Sequence, residues 1–453
     1  MPDFTDTIAA VATSPGASAL AVLRVSGPDT ARLAAELWSG PPPPRRVCHG
    51  DYRSIDGEVV DDVLHVFFAG PRSYTGEDSL EISCHGNAFI AQKILGDLLS
   101  RGCRAAEPGE FTQRAFINGR MDLSQAEAVM DLIQARSERA LAAANQQLRG
   151  SLGRRMTVLV ERLLEVLARV EAYIDFPDED LPPEDRAWLA TELERLTQET
   201  GQLLATSRYG ELLRDGIKTV ILGRPNVGKS SLLNRLLGKD RALVSPEPGT
   251  TRDFIEERVI IGPHCFRLID TAGLNPNPAA LEKLGMEKTL ERVAEADLVL
   301  IVLDAEGQTI DLHGETGVGL EHGKTLIIKN KSDLRKEISD PSAGPTGYPV
   351  VETSALTGAG LDLLQATLIR IADGFGSQLG GDDVIAINSR HAHALSTARA
   401  ALHAAKLKLN GGGPVELLAS DLHSVLDSFG EISGKVDNEQ MLDHLFSTFC
   451  IGK

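Results

Sequence analysis

Residues 223–230 read G-R-P-N-V-G-K-S and could bind phosphate groups. They follow the apolar run 217–222, which we predict to be a buried strand, and they lead into a helix predicted over 229–237. Gly223 and Gly228 allow backbone N–H groups to close around phosphates at a helix N-terminus. We expect the Lys229 ammonium to contact the β- and γ-phosphates and the Ser230 hydroxyl to bind magnesium. Taken alone, the motif could also be a chance glycine-rich turn.

Three further motifs follow predicted strands, in the order that a guanine-nucleotide site requires. Residues 270–273 read D-T-A-G and suit a magnesium carboxylate and a γ-phosphate sensor. Residues 330–333 read N-K-S-D, and the Asp333 carboxylate can accept hydrogen bonds from two donors of guanine, a pair that adenine lacks. Residues 354–356, S-A-L, can close over the base. Together the four motifs predict that the chain binds GTP.

The residues that would assist hydrolysis are less obvious. Small Ras-like switches place a water-orienting glutamine directly after D-T-A-G, but this chain has Leu274. Glu282 and Glu287 are nearby carboxylates, and either could instead lie on a solvated helix face. Residues 248–253, P-G-T-T-R-D, have the composition of a switch segment in which a threonine completes the magnesium shell. Asn226 could place a monovalent cation near the β/γ oxygens.

The elements that must position these residues fall into distinct segments. Residues 1–118 mix short β-rich runs with turns, and 119–214 have the apolar spacing of helices. Residues 215–375 alternate strands with helices, and 376–453 are again helical. The pattern predicts an N-terminal α+β domain and a central α-helical domain, with an α/β domain inserted into the helical one. His391 and His393 lie two apart on a predicted helix, so we expect solvated side chains and no metal pair.

The net charge, apolar runs and cysteines of the chain indicate which classes of protein it can belong to. The chain has 453 residues, 42% of them hydrophobic, and a formal net charge of -18. That charge argues against general nucleic-acid binding, so any RNA contact must be local or supplied by a partner. No run reaches the roughly 20 apolar residues that span a bilayer, and no export signal is visible. Five scattered cysteines suggest reduced thiols in the cytoplasm.

Signatures outside the nucleotide motifs run from end to end of the chain. They include S-Y-T-G-E-D-S-L-E at 73–81, P-G-E-F-T-Q-R-A-F at 108–116, D-L-S-Q-A-E-A at 122–128 and F-C-I-G-K at 449–453. With them the chain resembles the MnmE (TrmE) family of tRNA-modification GTPases, in the era-like group. The resemblance implies a Ras-like P-loop G domain inserted in the helical domain, and an N-terminal domain that is folate-binding-like and forms a homodimer.

The resemblance also implies a reaction. Members of the family work with the FAD-dependent flavoprotein MnmG, as a heterotetramer, on the wobble uridine of certain tRNAs. They add an aminomethyl or carboxymethylaminomethyl group to carbon 5, using a one-carbon unit carried by 5-formyl- or methylene-tetrahydrofolate. Hydrolysis of GTP would require Mg2+ and K+.

Matching the family's motifs position by position implies specific site residues. The potassium ligands fall on Asn226, Ser245, Glu247 and Thr250, the magnesium ligands on Ser230 and Thr251, and the catalytic glutamate on Glu282. The folate contacts fall on Arg24, Glu81, Arg120 and Lys453. The GTP contacts are Asn226, Val227, Gly228, Lys229, Ser230, Ser231, Ser245, Pro246, Glu247, Pro248, Gly249, Thr250, Thr251, Asp270, Thr271, Ala272, Gly273, Asn330, Lys331, Asp333, Ser354, Ala355 and Leu356.

Some alternatives stay open on sequence grounds. Cys450 is either a nucleophile or guard of the one-carbon chemistry, or a packed small residue. A ribosome-assembly G protein could use the same switch, although such proteins usually carry a basic RNA-binding module. A one-carbon transfer enzyme with a regulatory GTPase attached would differ mainly in whether it needs the flavin partner.

Overall fold

A computed structural model of the protein describes residues 5–40, 43–175, 183–224, 226–240, 256–270, 292–304, 321–334, 347–377, 385–434 and 445–452. The chain forms two compact units. The first comprises residues 1–130, 148–176 and 419–453, and the second comprises 131–147 and 177–418. No helix in the described ranges is long and apolar enough to cross a membrane.

The N-terminal segment is built on a mostly antiparallel sheet. Its strands are β1 (Ile8–Val11), β2 (Leu20–Ser26), β3 (Val47–Arg53), β4 (Val59–Phe68), β5 (Ser79–His85) and β6 (Arg104–Ala105), in the order β3-β4-β5-β2-β1-β6. Its helices are α1 (Thr30–Leu37), α2 (Ala88–Ser100) and α3 (Glu110–Ile117). Alternate residues of β2 and β5, among them Leu23 and Ile82, are fully buried with Ile94 of α2, which gives the segment a core of its own.

Helices follow, as the sequence predicts. They are α4 (Leu123–Gln134), α5 (Glu138–Leu148), α6 (Ser151–Asp175), α7 (Pro183–Ala205) and α8 (Ser207–Asp215). Alanine and leucine recur at three- and four-residue spacing in the longer helices and give them an apolar stripe. In α6 the stripe consists of Leu152, Met156, Leu159, Leu163, Val166, Leu167 and Val170, all buried.

The next segment is an α/β sheet, which confirms the predicted class. Its strands are β7 (Ile217–Leu222), β8 (Glu256–Ile261), β9 (His264–Asp270), β10 (Leu298–Asp304), β11 (Thr325–Asn330) and β12 (Val350–Glu352), in the order β12-β11-β10-β7-β9-β8. Only β8 is antiparallel to its neighbour among these strands. Helix α9 (Lys229–Asp240) follows β7, and α10 (Leu361–Ser377) follows β12. Strands β9 and β10 lie on opposite sides of β7. In parallel sheets, ligands commonly bind at the carboxyl ends of strands where the strand order reverses in this way, so we expect a ligand site at this end of β7.

Two helices complete the description, α11 (Ser389–Gly411) and α12 (Val415–Ser433). Helix α11 packs along α7, so helices from before and after the α/β segment contact one another. Lys406 of α11 pairs with Glu194 of α7, and the Arg186 guanidinium donates to the Leu409 carbonyl at 2.7 Å (Nη2 to O).

The expectation that His391 is solvated is wrong. The residue is completely buried and takes part in a capping box at the start of α11. Its backbone N–H donates to the Asn388 Oδ1 at 2.8 Å, and its ring Nδ1 accepts from the Asn388 N–H at 3.4 Å. Helix spacing gave no sign of this, because the first turn of a helix is defined by its cap and by the packing around it.

Candidate functional site

The phosphate-loop glycines occupy positions that no other residue could fill unchanged. Gly223 has φ +153°, and a Cβ there would lie 2.4 Å from the Val302 carbonyl oxygen. Gly228 has φ +94°, and a Cβ there would lie 2.3 Å from the Asn330 Nδ2. The loop therefore lies against β10 on one side and the β11 end on the other, and a side chain at either glycine would force them apart.

Lys229 is folded into the loop that precedes it. The residue is 8% exposed, and its Nζ donates to the carbonyls of Gly223 and Arg224 at 2.6 and 2.9 Å. It begins α9, whose first N–H groups face the same loop. Ser230 and Ser231 follow with exposed side chains. A fixed ammonium beside the N-terminus of a helix is an arrangement that attracts phosphate oxygens.

Asn226 adopts an uncommon backbone conformation at the tip of the same loop. Its φ is +65°, in the left-handed region that asparagine tolerates better than most residues, and its side chain is exposed. A left-handed residue turns the chain sharply, which lets the loop curve before Gly228. The amide is therefore exposed to solvent, and its role as a cation ligand stays a prediction.

Asn330 joins the phosphate loop to the predicted base loop. It is 1% exposed, and its Nδ2 donates to the Val227 carbonyl at 2.9 Å. Its Oδ1 accepts from the Ala355 backbone N–H at 3.0 Å and from the Thr353 hydroxyl at 3.4 Å. One buried amide thus joins three segments, those of Val227, Asn330 and Ala355, the first of which lies 103 residues before Asn330. The phosphate loop and the last motif are therefore brought together around it.

Asp333 is positioned by a serine of the last motif. The Ser354 hydroxyl, which is fully buried, donates to the Asp333 Oδ1 and accepts from the Thr357 N–H at 3.1 Å. Asp333 itself is exposed, so its carboxylate faces outward from a fixed point. Leu356 is 80% exposed next to it and is free to cover a flat ring.

Sequence reasoning missed Asp304. It ends β10 directly opposite Asn330 in the parallel ladder, and its Oδ2 accepts from the Lys331 Nζ at 2.7 Å. The backbone of Lys331 has φ +60°, in the left-handed region. The ion pair with Asp304 therefore fixes the side chain of a residue at which the chain turns sharply. The available signal was a carboxylate at the carboxyl end of a predicted parallel strand, where ligand-binding residues collect.

Several predicted site residues lie outside the described ranges. They are Ser245, Pro246, Glu247, Pro248, Gly249, Thr250, Thr251, Thr271, Ala272, Gly273, Glu282 and Lys453. Asp270 is described in its backbone and lies beside Ile221 in the β7–β9 ladder, which places the start of D-T-A-G next to the phosphate loop.

A second cluster surrounds Arg24 in the N-terminal sheet. The guanidinium donates to the Glu81 Oε1 from Nη2 at 2.8 Å and from Nε at 3.1 Å. It lies over the rings of Tyr74 and Phe111, with the guanidinium carbon 5.4 and 5.7 Å from the ring centroids. The Arg24 side chain is 18% exposed, so a half-buried cation is enclosed by aromatic rings and one carboxylate.

The end of the chain reaches this cluster. The Arg24 Nη1 donates to the Gly452 carbonyl at 3.4 Å, and the Gly109 N–H donates to the Cys450 carbonyl at 3.3 Å. Ile451 forms an isolated bridge with Pro108. The structure therefore unites Arg24, Glu81 and the predicted C-terminal motif, and it leaves the Cys450 side chain exposed. Arg120 is also exposed and is not part of these contacts.

Comparisons with known proteins cover the whole chain. The family model described as GTP-binding protein TrmE N-terminus matches residues 7–120, and the one described as MnmE helical domain matches 123–450. A protein of Opitutus terrae named tRNA modification GTPase MnmE is 59% identical over 453 residues, 100% of both chains. Proteins of the same name from Symbiobacterium thermophilum and Akkermansia muciniphila are each 42% identical, over 99% and 100% of both chains.

Among solved structures, the chain is similar to the G domain of the T. maritima FeoB iron transporter. The match is 29% identical and covers 34% of this chain and 98% of that one. Its TM-score of 0.27 is too low to establish a shared fold.

Proposed function

The chain belongs to the MnmE family of tRNA modification GTPases and is therefore a GTP hydrolase that acts in tRNA modification, and we propose that its product is a wobble uridine modified at carbon 5. It would add the aminomethyl or carboxymethylaminomethyl group together with MnmG, using a one-carbon unit carried by tetrahydrofolate. The observation that carries the nucleotide half of this proposal is Asn330, which ties the phosphate loop to the Ser354–Leu356 segment beside Asp333.

We place GTP at the carboxyl end of β7. Lys229 would exchange its two carbonyl partners for phosphate oxygens, and the N-terminus of α9 would bind the same anion. Asp333, held by Ser354, would accept from the ring N–H and amino group of guanine. Leu356 and the stem of Lys331 would cover the faces of the base.

Hydrolysis in this proposal depends on residues around the phosphates. Ser230 and Thr251 would hold Mg2+, which neutralises charge on the β- and γ-phosphates when bound. The exposed amide of Asn226 fits the oxygen donor that K+ needs, and Ser245, Glu247 and Thr250 would complete that shell. Glu282 would position the attacking water, since Leu274 cannot.

The one-carbon site is proposed at Arg24. A cation enclosed by the Tyr74 and Phe111 rings suits a flat ligand that carries carboxylates, and Glu81 can accept hydrogen bonds from its donors. Arg120 and Lys453 would add positive charge. Cys450, exposed beside Gly452, is the candidate thiol for that chemistry.

The proposed assembly follows the family. Residues 1–118 would form the folate-binding and dimerisation domain, and 119–214 with 376–453 the helical domain into which the G domain, 215–375, is inserted. The contact between α7 and α11 supports that insertion. The homodimer would join MnmG in a heterotetramer that binds tRNA in the cytoplasm.

Nucleoside analysis of tRNA from cells that lack the gene tests the reaction. We expect the C5-modified wobble uridines to disappear, and to return when the gene is supplied again. Unchanged uridines would rule out the proposal, and an abnormal ribosome profile with unchanged uridines would favour a ribosome-assembly G protein.

A rate comparison tests the proposed hydrolysis. We expect much faster turnover of GTP in KCl than in NaCl at equal ionic strength, and a strong loss of turnover in Glu282→Ala. Glu287→Ala is the matched control, because it removes the other nearby carboxylate. Equal rates in both salts would exclude the potassium role, and equal losses in both variants would exclude a specific role for Glu282.

A further inference from the structure

Helix α3 supplies two consecutive residues to the surroundings of Arg24. The Phe111 ring contacts the guanidinium directly, with the guanidinium carbon 5.7 Å from the ring centroid. The next residue, Thr112, is fully buried, and its hydroxyl oxygen lies 2.9 Å from that of Tyr74. Tyr74 provides the second ring, 5.4 Å from the same guanidinium carbon. We call the guanidinium and the residues that it contacts the Arg24 cluster: Arg24, Tyr74, Glu81, Phe111 and Gly452.

The backbone of the loop that carries Tyr74 is held by other residues. Asn118, the C-cap of α3, donates from its Nδ2 to the Thr75 carbonyl at 2.8 Å. The Thr75 hydroxyl lies 2.6 Å from the Ser26 hydroxyl of β2, and both residues are fully buried. Because these contacts do not involve Thr112, loss of its hydroxyl would leave the loop in place and release only the far end of the Tyr74 side chain.

That far end determines how the Tyr74 ring meets the Arg24 guanidinium. A tyrosine side chain turns about two bonds, so a contact at its hydroxyl, the atom farthest from the backbone, restrains both. The attraction between a cation and an aromatic ring requires the cation to lie over the ring face. Burial raises the pKa of Tyr74 above its ordinary value of 10.0. The phenol is therefore protonated at neutral pH, and either hydroxyl can donate to the other.

We infer that Thr112 is a positioning residue for the one-carbon site: its hydroxyl holds the Tyr74 ring against the Arg24 guanidinium and so fixes that cation for the tetrahydrofolate ligand. The inference rests on the proposed function of the Arg24 cluster. It adds a buried residue that the family resemblance does not place among the folate contacts. A ring that must be ordered when the ligand binds lowers the affinity, whereas a ring that is already held does not.

Calorimetric titration of the full chain with 5-formyl-tetrahydrofolate tests the inference. We expect Thr112→Val to weaken binding about fivefold, the effect of one hydrogen bond, with the KM for GTP unchanged. Thr112→Ser keeps the hydroxyl and should bind normally. Tyr74→Phe keeps the ring but loses the same contact, so it should weaken binding by a similar factor. The double variant should lose little more affinity than either single one.

Thermal unfolding of the same variants separates positioning from a loss of stability. Thr112→Val and Tyr74→Phe each leave one hydroxyl without its partner, which should lower the thermal midpoint. The double variant removes both hydroxyls and should recover most of that loss. Its folate affinity should stay low, because the ring is still not held. Affinity that recovers together with the thermal midpoint would overturn the inference.

Thr30→Val is the matched control. Thr30 begins α1 and is fully buried, and its hydroxyl has no hydrogen-bond partner within the described ranges of the chain. The substitution therefore makes the same chemical change in the same segment without removing a hydrogen bond, and folate binding should stay normal. Three results would each overturn the inference: normal binding by Thr112→Val, an equal loss in Thr112→Ser, and an equal loss in Thr30→Val.

Arg24→Ala separates this inference from the proposal on which it rests. If that substitution leaves the binding of 5-formyl-tetrahydrofolate intact, the proposed one-carbon site is wrong. If it abolishes binding while Thr112→Val binds normally, the site stands and only the role of Thr112 is wrong.

Discussion

Residues that act through another residue are a repeated feature of the candidate sites. Asn330, Ser354 and Asp304 each hold a neighbouring residue that would contact the nucleotide. Lys331 illustrates the need, because a lysine with φ +60° has a strained backbone conformation that persists only when surrounding contacts offset its cost. Its ammonium pairs with Asp304 while its four-carbon stem is left to lie along a base.

Replacing Asp304 should therefore affect the nucleoside end of the ligand. We expect Asp304→Ala to weaken GTP and GDP binding by the same factor, about fivefold for a partly exposed pair worth ~1 kcal/mol. Asp304→Asn keeps an acceptor for the Lys331 Nζ and should lose less. Titration with fluorescent GTP and GDP analogues measures both, and a loss confined to GTP would place Asp304 at the phosphates instead.

The fully buried guanidinium of Arg114 makes the N-terminal segment sensitive to acid. It donates to the Asp6 Oδ1 at 2.6 Å and to the Glu110 Oε1 at 2.8 Å. Burial alone would raise the pKa of Glu110, but hydrogen bonds from Arg104, the Glu107 N–H and Arg114 lower it below its ordinary value of 4.5. A lowered folded-state pKa gives stability that is present above pH ~4.5 and is lost as the pH falls through the folded value.

Glu110→Gln should therefore reduce the free energy of unfolding by about 2–4 kcal/mol at pH 7, because it leaves Arg114 with less compensation. The difference from the unmodified protein should shrink as the pH falls from 5 toward 3. Urea unfolding at a series of pH values measures it. Glu36→Gln, in an exposed pair with Arg32, is the control and should change stability by less than ~0.5 kcal/mol. A pH-independent difference would contradict the role assigned to the Glu110 charge.

Among the elements, α6 shows how far a pattern in the sequence determines packing. Apart from Leu167, its buried residues repeat at alternating steps of four and three, so one stripe runs the length of a 25-residue helix. Leu163 lies on the stripe and is fully buried, whereas its neighbour Leu164 is 47% exposed. Adjacent leucines on one helix thus have different energetic roles.

Truncating the two leucines should separate those roles. Leu163→Ala should lower the free energy of unfolding by about 2–5 kcal/mol through lost burial and a new cavity. Leu164→Ala, which keeps the same helix propensity change, should stay within about 0.5–1 kcal/mol. Thermal or urea unfolding of both variants provides the comparison, and equal losses would mean that Leu164 is covered by a partner.

Sequence patterns predicted elements better than they predicted the contacts between them. Strand β7 has the predicted bounds, because an apolar run between two glycines allows few alternatives. The buried cap at His391 and the pair of Asp304 with Lys331 were not foreseen, since both depend on which segments meet in space. The spacing of apolar residues along one segment does not indicate which other segment it will contact. The contact of the Arg139 Nη2 with the Asp373 Oδ1 is a further case, because the two residues are 234 positions apart.

For the whole molecule, the docking of residues 450–452 on the N-terminal sheet joins segments that are far apart in the sequence. It joins Arg24 to Gly452, 428 residues later. The family resemblance implies that Arg24 and the C-terminal motif belong to one site. No physical rule applied to a single sequence would pair them. The contact makes the Arg24 cluster depend on the last residues of the chain.

Deleting residues 450–453 should therefore impair the one-carbon site and spare the nucleotide site. We expect binding of 5-formyl-tetrahydrofolate to weaken at least tenfold, or ~1.4 kcal/mol, with the KM for GTP unchanged. Cys450→Ser is the control, because it keeps the backbone carbonyl that accepts from Gly109, and it should bind folate normally. Calorimetric titration measures both. Normal folate binding by the shortened chain would show that the one-carbon site does not lie at Arg24.

The bridge between Pro108 and Ile451 also orders events during synthesis. At about 5–20 residues per second, a ribosome needs roughly 17–70 s to pass from one to the other. For most of that interval the N-terminal sheet is outside the ribosome, with Arg24 and Gly109 still awaiting their C-terminal partners. Chains cut short by a premature stop would never gain them. The Arg24 cluster is therefore completed only after residues 450–452 have been synthesised.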